Sequence, residues 1–315
     1  MCSEQNHEHW IPLKRVPDKG TFAITAPASP VDESKLNRGV HYLERLGYNV
    51  IVGSSCYDSF YYLAGSDSRR ASELMNFITN PKVDCILCAR GGYGSMRLLN
   101  LLDYKLIKEQ RKPIIGFSDI TALQWGIYAR TGLPSISGPL LTRDMGGRNI
   151  DPKFEEQFWE LMQTGRTTIK FAHSREHPVH CNGTLLAGTL AVASWLIGTP
   201  YFPKLRNTIL LLEDTEEPMH KIEAYLLQWA LAGFFDEAQA CLTGTFTGIT
   251  PSHFGHNPDL ETVFKRVFQD VEAPVIHEVA YGHQASKVSV PIGVPYSLSL
   301  GLNSQLQIPQ SIFES

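Results

Sequence analysis

The chain has 315 residues and is poor in cysteine, in surplus charge of either sign and in long apolar runs. Its six cysteines (Cys2, Cys56, Cys85, Cys88, Cys181 and Cys241) are scattered, which argues against a disulfide framework and fits a reducing compartment. The 28 basic and 32 acidic residues leave a net charge of −4, and no run of Lys and Arg gathers locally to attract a phosphate backbone. Nucleic acid is therefore not an expected partner. No apolar run reaches the roughly 18 residues of a membrane span. His7, Glu8, His9, Lys14 and Arg15 precede any apolar stretch, so the charged-then-apolar order of a secretory leader is missing. A soluble, cytoplasmic protein with no membrane partner is expected. Internal repeats and low-complexity tracts are also missing.

With 43% hydrophobic residues against 19% charged, the chain can fill a sizeable core, and its length is near the size at which one core divides into two. In the first half, apolar runs alternate with helical spacing. Gly20 to Pro27 reads as a strand, and Ser29 or Asp32 can cap a helix to Leu46. Tyr48–Val52, Val83–Ala89 and Lys112–Phe117 read as further strands, with helices at Ser68–Ile78, Leu98–Glu109 and Ile120–Arg130. That alternation predicts a Rossmann-like, doubly wound parallel sheet with helices on both faces over residues 1–143. Gly146, Gly147, Pro152 and Pro178 then punctuate the pattern, and only Phe154 to Met162 has helical spacing. Residues 144–182 are expected to connect the domains. Residues 183–315 predict a smaller C-terminal α/β domain, with strands at Thr208–Glu213, Cys241–Thr247, Val275–Glu278 and Tyr296–Leu300 and a helix from Met219 to Ala232.

The stretch Ile115-Gly-Phe-Ser-Asp-Ile-Thr-Ala-Leu123 carries the most chemistry. An apolar strand ends at Gly116-Phe117 and a helix begins directly after Ser118, a turn that projects a free hydroxyl where backbone N–H groups favour developing negative charge. Ile120 replaces the second glycine of G-x-S-x-G, and Ser118 and Asp119 read equally as helix caps. A serine nucleophile needs a base steadied by a carboxylate. His283, in Ala280-Tyr-Gly-His-Gln284, sits in a loop suited to an exposed functional residue, or is simply a surface histidine. Glu213 closes the apolar run Leu210-Leu-Leu-Glu. Burying its charge calls for a partner, unless it only ends the strand. Arg90-Gly-Gly-Tyr-Gly94 follows a strand with bare backbone. It can cradle a phosphate, supply an oxyanion donor opposite Ser118, or serve as a tight turn. It lacks the six-residue glycine spacing and the Gly-Lys-Ser/Thr ending of nucleotide loops.

No metal or cofactor is expected. Cys85 and Cys88 lie three apart on a strand and point to opposite faces, as core thiols do. His173, His177, His180 and Cys181 cluster in a proline-bearing connection without an evident scaffold, and no H-E-x-x-H occurs.

Taken together, these segments resemble the serine LD-carboxypeptidases, a family that includes muramoyltetrapeptide carboxypeptidases and microcin C immunity peptidases. The resemblance rests on Thr25-Ala-Pro-Ala-Ser-Pro30, Ala89-Arg-Gly-Gly-Tyr-Gly94, Gly116-Phe-Ser-Asp-Ile-Thr-Ala-Leu123, Gly183-Thr-Leu-Leu-Ala-Gly-Thr-Leu190, Leu212-Glu-Asp214 with Glu217-Pro218, and Gly282-His-Gln284 followed by Pro291-Ile-Gly293. It implies two α/β domains with the active site at their interface and a triad of Ser118, His283 and Glu213. It also implies an oxyanion hole from the backbone of Asp119 and of Gly91 or Gly92, no cofactor, and a homodimer. The implied reaction releases terminal D-alanine from a murein tetrapeptide in peptidoglycan recycling, with Arg90 as the candidate for holding the substrate's carboxylate. Pro218-Met-His-Lys-Ile-Glu223 departs from the Pro-Tyr-Arg-Ile-Asp-like pattern of the carboxypeptidase branch, which bears on substrate contacts from that helix. An immunity peptidase cutting a peptidyl or aminoacyl nucleotide analogue is the alternative within the fold. A non-catalytic nucleotide or peptide binder is the alternative outside it. Trp125 and Trp195 read as core residues, and either one beside Ser118 would instead offer a face for a nucleobase.

Overall fold

The computed structural model describes residues 10–172, 178–251 and 258–314. Among the described residues the first half contributes five parallel strands to the first sheet: Thr21–Thr25 (β1), Asn49–Val52 (β2), Cys85–Cys88 (β3), Ile114–Gly116 (β4) and Ser135–Ser137 (β5). β1, β3 and β4 are buried along their whole length apart from Thr21, as expected of strands covered on both faces. Their order is β2-β1-β3-β4-β5, so the chain winds outward in both directions from β1 and β3. With right-handed crossovers this puts helices on both faces and opens a crevice at the carboxyl ends of β1 and β3. Asp32 caps the first helix, Glu33–Arg45, by accepting from the Lys35 N–H.

Among the described residues the remaining strands are Thr168–Lys170 (β6), Val179–Thr189 (β7), Thr208–Thr215 (β8), Ala240–Thr247 (β9), Val275–Ile276 (β10), Val290–Ile292 (β11), Pro295–Leu300 (β12) and Gln305–Gln307 (β13). Seven of these eight form a second sheet of order β10-β9-β8-β7-β12-β13-β6, parallel from β7 to β10 and antiparallel beyond β7. The exception is β11, which leaves the second half and pairs antiparallel with β5 at the edge of the first sheet. Pro291 is tolerated there because an edge strand can leave one side without a donor.

Three local expectations change. The predicted helix from Leu98 to Glu109 is a 3-10 segment, Ser95–Leu101, and a separate helix, Tyr104–Gln110. Asp103 starts the second by accepting from the N–H groups of Lys105 and Leu106. The connecting stretch contains helix Pro152–Thr164 and also strand β6, which joins the second sheet. β7 begins at Val179, four residues before the expected start of the second domain. The two halves meet where helix Ile120–Thr131 packs on β7, with the buried Trp125 Nε1–H donating to the Ala187 carbonyl at 2.9 Å. Among the described residues no helix is long and apolar enough to cross a membrane.

Candidate active site

Ser118 sits between β4 and helix Ile120–Thr131 with φ of 65°. For a non-glycine residue this left-handed conformation is costly, and here it turns the hydroxyl out of the chain at the carboxyl edge of the sheet. Glu213 lies at the other end of the site on β8, opposite Thr189 of β7, and is fully buried. His283 lies between them on the loop after β10, its side chain only 7% exposed.

The hydroxyl, the imidazole and the carboxylate form one line. Glu213 Oε2 is 2.7 Å from His283 Nδ1, and His283 Nε2 is 2.9 Å from Ser118 Oγ. An ionised carboxylate can only accept, so Nδ1 carries the proton, and in the neutral ring Nε2 accepts from the serine. The second carboxylate oxygen of Glu213 accepts from the Thr189 hydroxyl at 2.7 Å, which leaves the acid fixed from both sides. Phe117 packs its ring 4.7 Å from the imidazole and 5.5 Å, edge-on, from Tyr281, whose hydroxyl meets Ser137 Oγ at 2.7 Å.

The glycine turn after β3 faces Ser118. A Cβ on Gly91 would lie 2.9 Å from Ser118 Cβ and 3.2 Å from its Oγ, so only bare backbone can approach the hydroxyl this closely. Gly92 has φ of 105°, and a side chain there would collide with Ser29. Ser29 in turn holds the turn from below: its N–H donates to the Gly91 carbonyl and its Oγ accepts from the Tyr93 N–H. This accounts for the Thr25–Pro30 segment beside the glycines. Asp119 is 2% exposed, and its carboxylate accepts from the Ser95 N–H at 2.8 Å, tying the start of the helix that follows Ser118 to the far end of the same turn. Burial pushes its carboxyl above the usual range.

A cavity of about 810 Å³ opens in front of Ser118 and His283. Arg90, Gly91, Gly92 and Tyr93 line it from the first half, and Thr189, Trp195 and Asp214 from the second. Arg90 is exposed and donates to the Pro30 carbonyl at 2.9 Å. Trp125 is core, as expected, but Trp195 is not: it is 36% exposed and stacks on Tyr93 with ring centroids 6.4 Å apart. The reason is local, because helix Leu190–Trp195 ends at this residue and presents it at the cavity rim. Thr189 and Tyr93 fall within the quoted segments Gly183–Leu190 and Ala89–Gly94, but nothing in those segments singles out either side chain, whose partners Glu213 and Trp195 are brought to it only by the fold.

Among the described residues the cysteine and histidine candidates do not converge. Cys85 and Cys88 are buried, and desolvation pushes both thiols up. His180 bonds to Ser299 on the neighbouring strand, and His173 and His177 lie outside the described residues. Among the described residues no group of three or more His, Cys, Asp and Glu side chains could hold a metal.

Asp214, next to the buried acid, is itself 2% exposed, and burial raises its carboxyl to about 7 against the opposing hydrogen bond from the Ala191 N–H. A carboxyl raised in the folded state stabilises it fully below the unfolded value of 3.8, and that contribution is lost as pH rises through about 7. Between pH 5 and 8, Asp214 should therefore cost the wild type about 2 kcal/mol. Asp214→Asn should flatten the dependence, and equal losses for both proteins in urea unfolding at the two pH values would refute this.

A hydroxyl aligned on an imidazole and a buried carboxylate, facing bare backbone across a cleft, is the arrangement that serine nucleophile chemistry requires. Residues 22–138 match the LD-carboxypeptidase N-terminal domain and residues 182–298 the LD-carboxypeptidase C-terminal domain, and the chain belongs to the LD-carboxypeptidase family of peptidases. It is 30% identical over 286 residues to a probable murein peptide carboxypeptidase of Bacillus subtilis, covering 89% of this chain and 88% of that protein. It is 27% identical over 310 residues to the microcin C7 self-immunity protein MccF of Escherichia coli, covering 89% of each. Among solved structures, muramoyltetrapeptide carboxypeptidase from Oxalobacter formigenes superposes with a TM-score of 0.83 at 29% identity, over 91% of this chain and 98% of that one.

Proposed function

We propose that the protein is a serine LD-carboxypeptidase that releases terminal D-alanine from murein tetrapeptides, cutting between an L-configured centre and the D residue. The observation that carries this reading is the hydrogen-bonded line from Ser118 through His283 to Glu213. Ser118 attacks the scissile carbonyl while His283 takes its proton at Nε2. Glu213 holds Nδ1–H and stabilises the imidazolium that forms. The oxyanion is received by the backbone N–H of Asp119 and of Gly91 or Gly92, which fits a turn kept free of side chains. His283 then protonates the departing amine of D-alanine, and water, activated by the same imidazole, releases the acyl group from Ser118. Arg90, at the cavity wall, is assigned to the substrate's terminal carboxylate. Cytoplasmic peptidoglycan recycling and a homodimer belong to the same reading.

A second reading is favoured by one observation. The Tyr93 and Trp195 rings at the rim could stack a nucleobase, in keeping with an immunity peptidase acting on a peptidyl or aminoacyl nucleotide analogue.

Turnover of a diaminopimelate tetrapeptide, its lysine counterpart and a peptidyl-adenylate mimic tests the choice. The diaminopimelate peptide is expected to release D-alanine. Cleavage of the adenylate mimic alone would replace this reading with the second. Binding without turnover of any of the three would make the protein a non-catalytic binder.

A further inference from the structure

The loop that carries His283 contains a buried cation that the proposed chemistry does not touch. Lys287 has 1% side-chain exposure, and its ammonium lies 3.0 Å from Asp144 Oδ2. The same ammonium stands 4.4 Å from the centroid of the Phe117 ring, the ring that packs against the imidazole. Asp144 belongs to the single turn of π-helix Leu141–Met145, where it also accepts from the Leu140 N–H at 2.7 Å. Its neighbour Arg143 donates to the backbone carbonyl of His283. One turn from the first half thus grips the 283–287 loop at both ends, by the carbonyl of one residue and the ammonium of the other.

Burying an ammonium is unfavourable, and desolvation shifts Lys287 toward its neutral form against the pull of Asp144. An apolar residue of similar length would fill the same space without that cost. What an apolar residue lacks is direction: an ion pair and a ring-face contact fix where the loop sits relative to Phe117, and Phe117 directly precedes Ser118.

We propose that Lys287 is a positioning residue that, through Asp144 and the face of Phe117, holds the His283 imidazole in register with the Ser118 hydroxyl. The proposal rests on the reading of Ser118 and His283 as nucleophile and base, but not on the identity of the peptide substrate.

The test compares wild type, Lys287→Met and the double variant Lys287→Met/Asp144→Leu, which removes the carboxylate left without its cation. Three readouts are taken: the melting temperature, the rate at which a fluorophosphonate labels Ser118, and the downfield proton resonance of the His283–Glu213 hydrogen bond. Lys287→Met should label at least tenfold more slowly, with a weakened resonance. The double variant should recover the melting temperature while remaining slow. Recovery of the labelling rate along with the melting temperature, or wild-type labelling by Lys287→Met, would reduce Lys287 to a structural residue and overturn the proposal. Wild-type labelling without D-alanine release would sink the substrate assignment and leave the comparison of variants intact. If wild-type Ser118 resists the reagent, the nucleophile reading falls, and an unchanged resonance in both variants then overturns the role of Lys287 as well.

Discussion

Ser118→Ala is expected to abolish D-alanine release from a tetrapeptide, lowering kcat by about four orders of magnitude or more while circular dichroism stays unchanged. The size follows from the geometry. His283 Nε2 has Ser118 Oγ at 2.9 Å, and alanine leaves the imidazole with no hydroxyl to deprotonate and the carbonyl with no attacking atom. Cleavage cannot then pass through an acyl-enzyme, and what survives comes from the backbone donors acting on a carbonyl attacked by water. The substitution also relieves no buried charge and opens no sizeable void, so the fold has little reason to change. Turnover within tenfold of wild type, measured by coupled detection of D-alanine, would remove Ser118 from the chemistry.

The second large effect is expected from Glu213→Gln, which should lower kcat by about 10³ to 10⁴ and change KM only a few-fold. Glu213 is fully buried and holds the imidazole on one oxygen and the Thr189 hydroxyl on the other. A glutamine keeps the shape but brings no negative charge to steady the imidazolium, and its amide can face Nδ1 and force the wrong tautomer. Both consequences weigh on the transition state and not on substrate binding. Because the variant also removes an ionised group from a dry site, its thermal stability should equal or exceed that of wild type. A variant impaired mainly in KM would show that Glu213 contacts substrate and does not orient the base.

The parts of the site that could be read from the amino-acid order are those where local chemistry announces itself. The strand Ile114–Gly116 followed by Phe117, Ser118, Asp119 and a helix marks a turn that frees a hydroxyl, and Glu213 at the end of an apolar run demands a buried partner. That His283 is the partner follows from the family resemblance more than from its neighbours, since a glycine and a glutamine say little about which of 11 histidines faces an acid 70 residues away. The parallel core was legible from its apolar runs. β5 was not, because Ser135–Ser137 is too short to show a period, and neither was β11, whose Pro291 argues against a strand until an edge position is known. The pair Lys287 and Asp144 bridges 143 residues and has no signature along the chain. Trp195 shows the limit for aromatics: an apolar segment predicts a core side chain, and only the end of a six-residue helix turns it outward.

The antiparallel strand Val290–Ile292 ties the last fifth of the polypeptide to the edge of β5, on the sheet that bears Ser118, while the preceding strand β10 and the following strand β12 belong to the other sheet. The two family domains are thus not interchangeable modules. A chimaera joined near residue 144 would inherit its border strand, and with it the segment that delivers the imidazole, from the foreign parent. Partners for such an exchange must match along Ser135–Ser137 as well as at the crossover point.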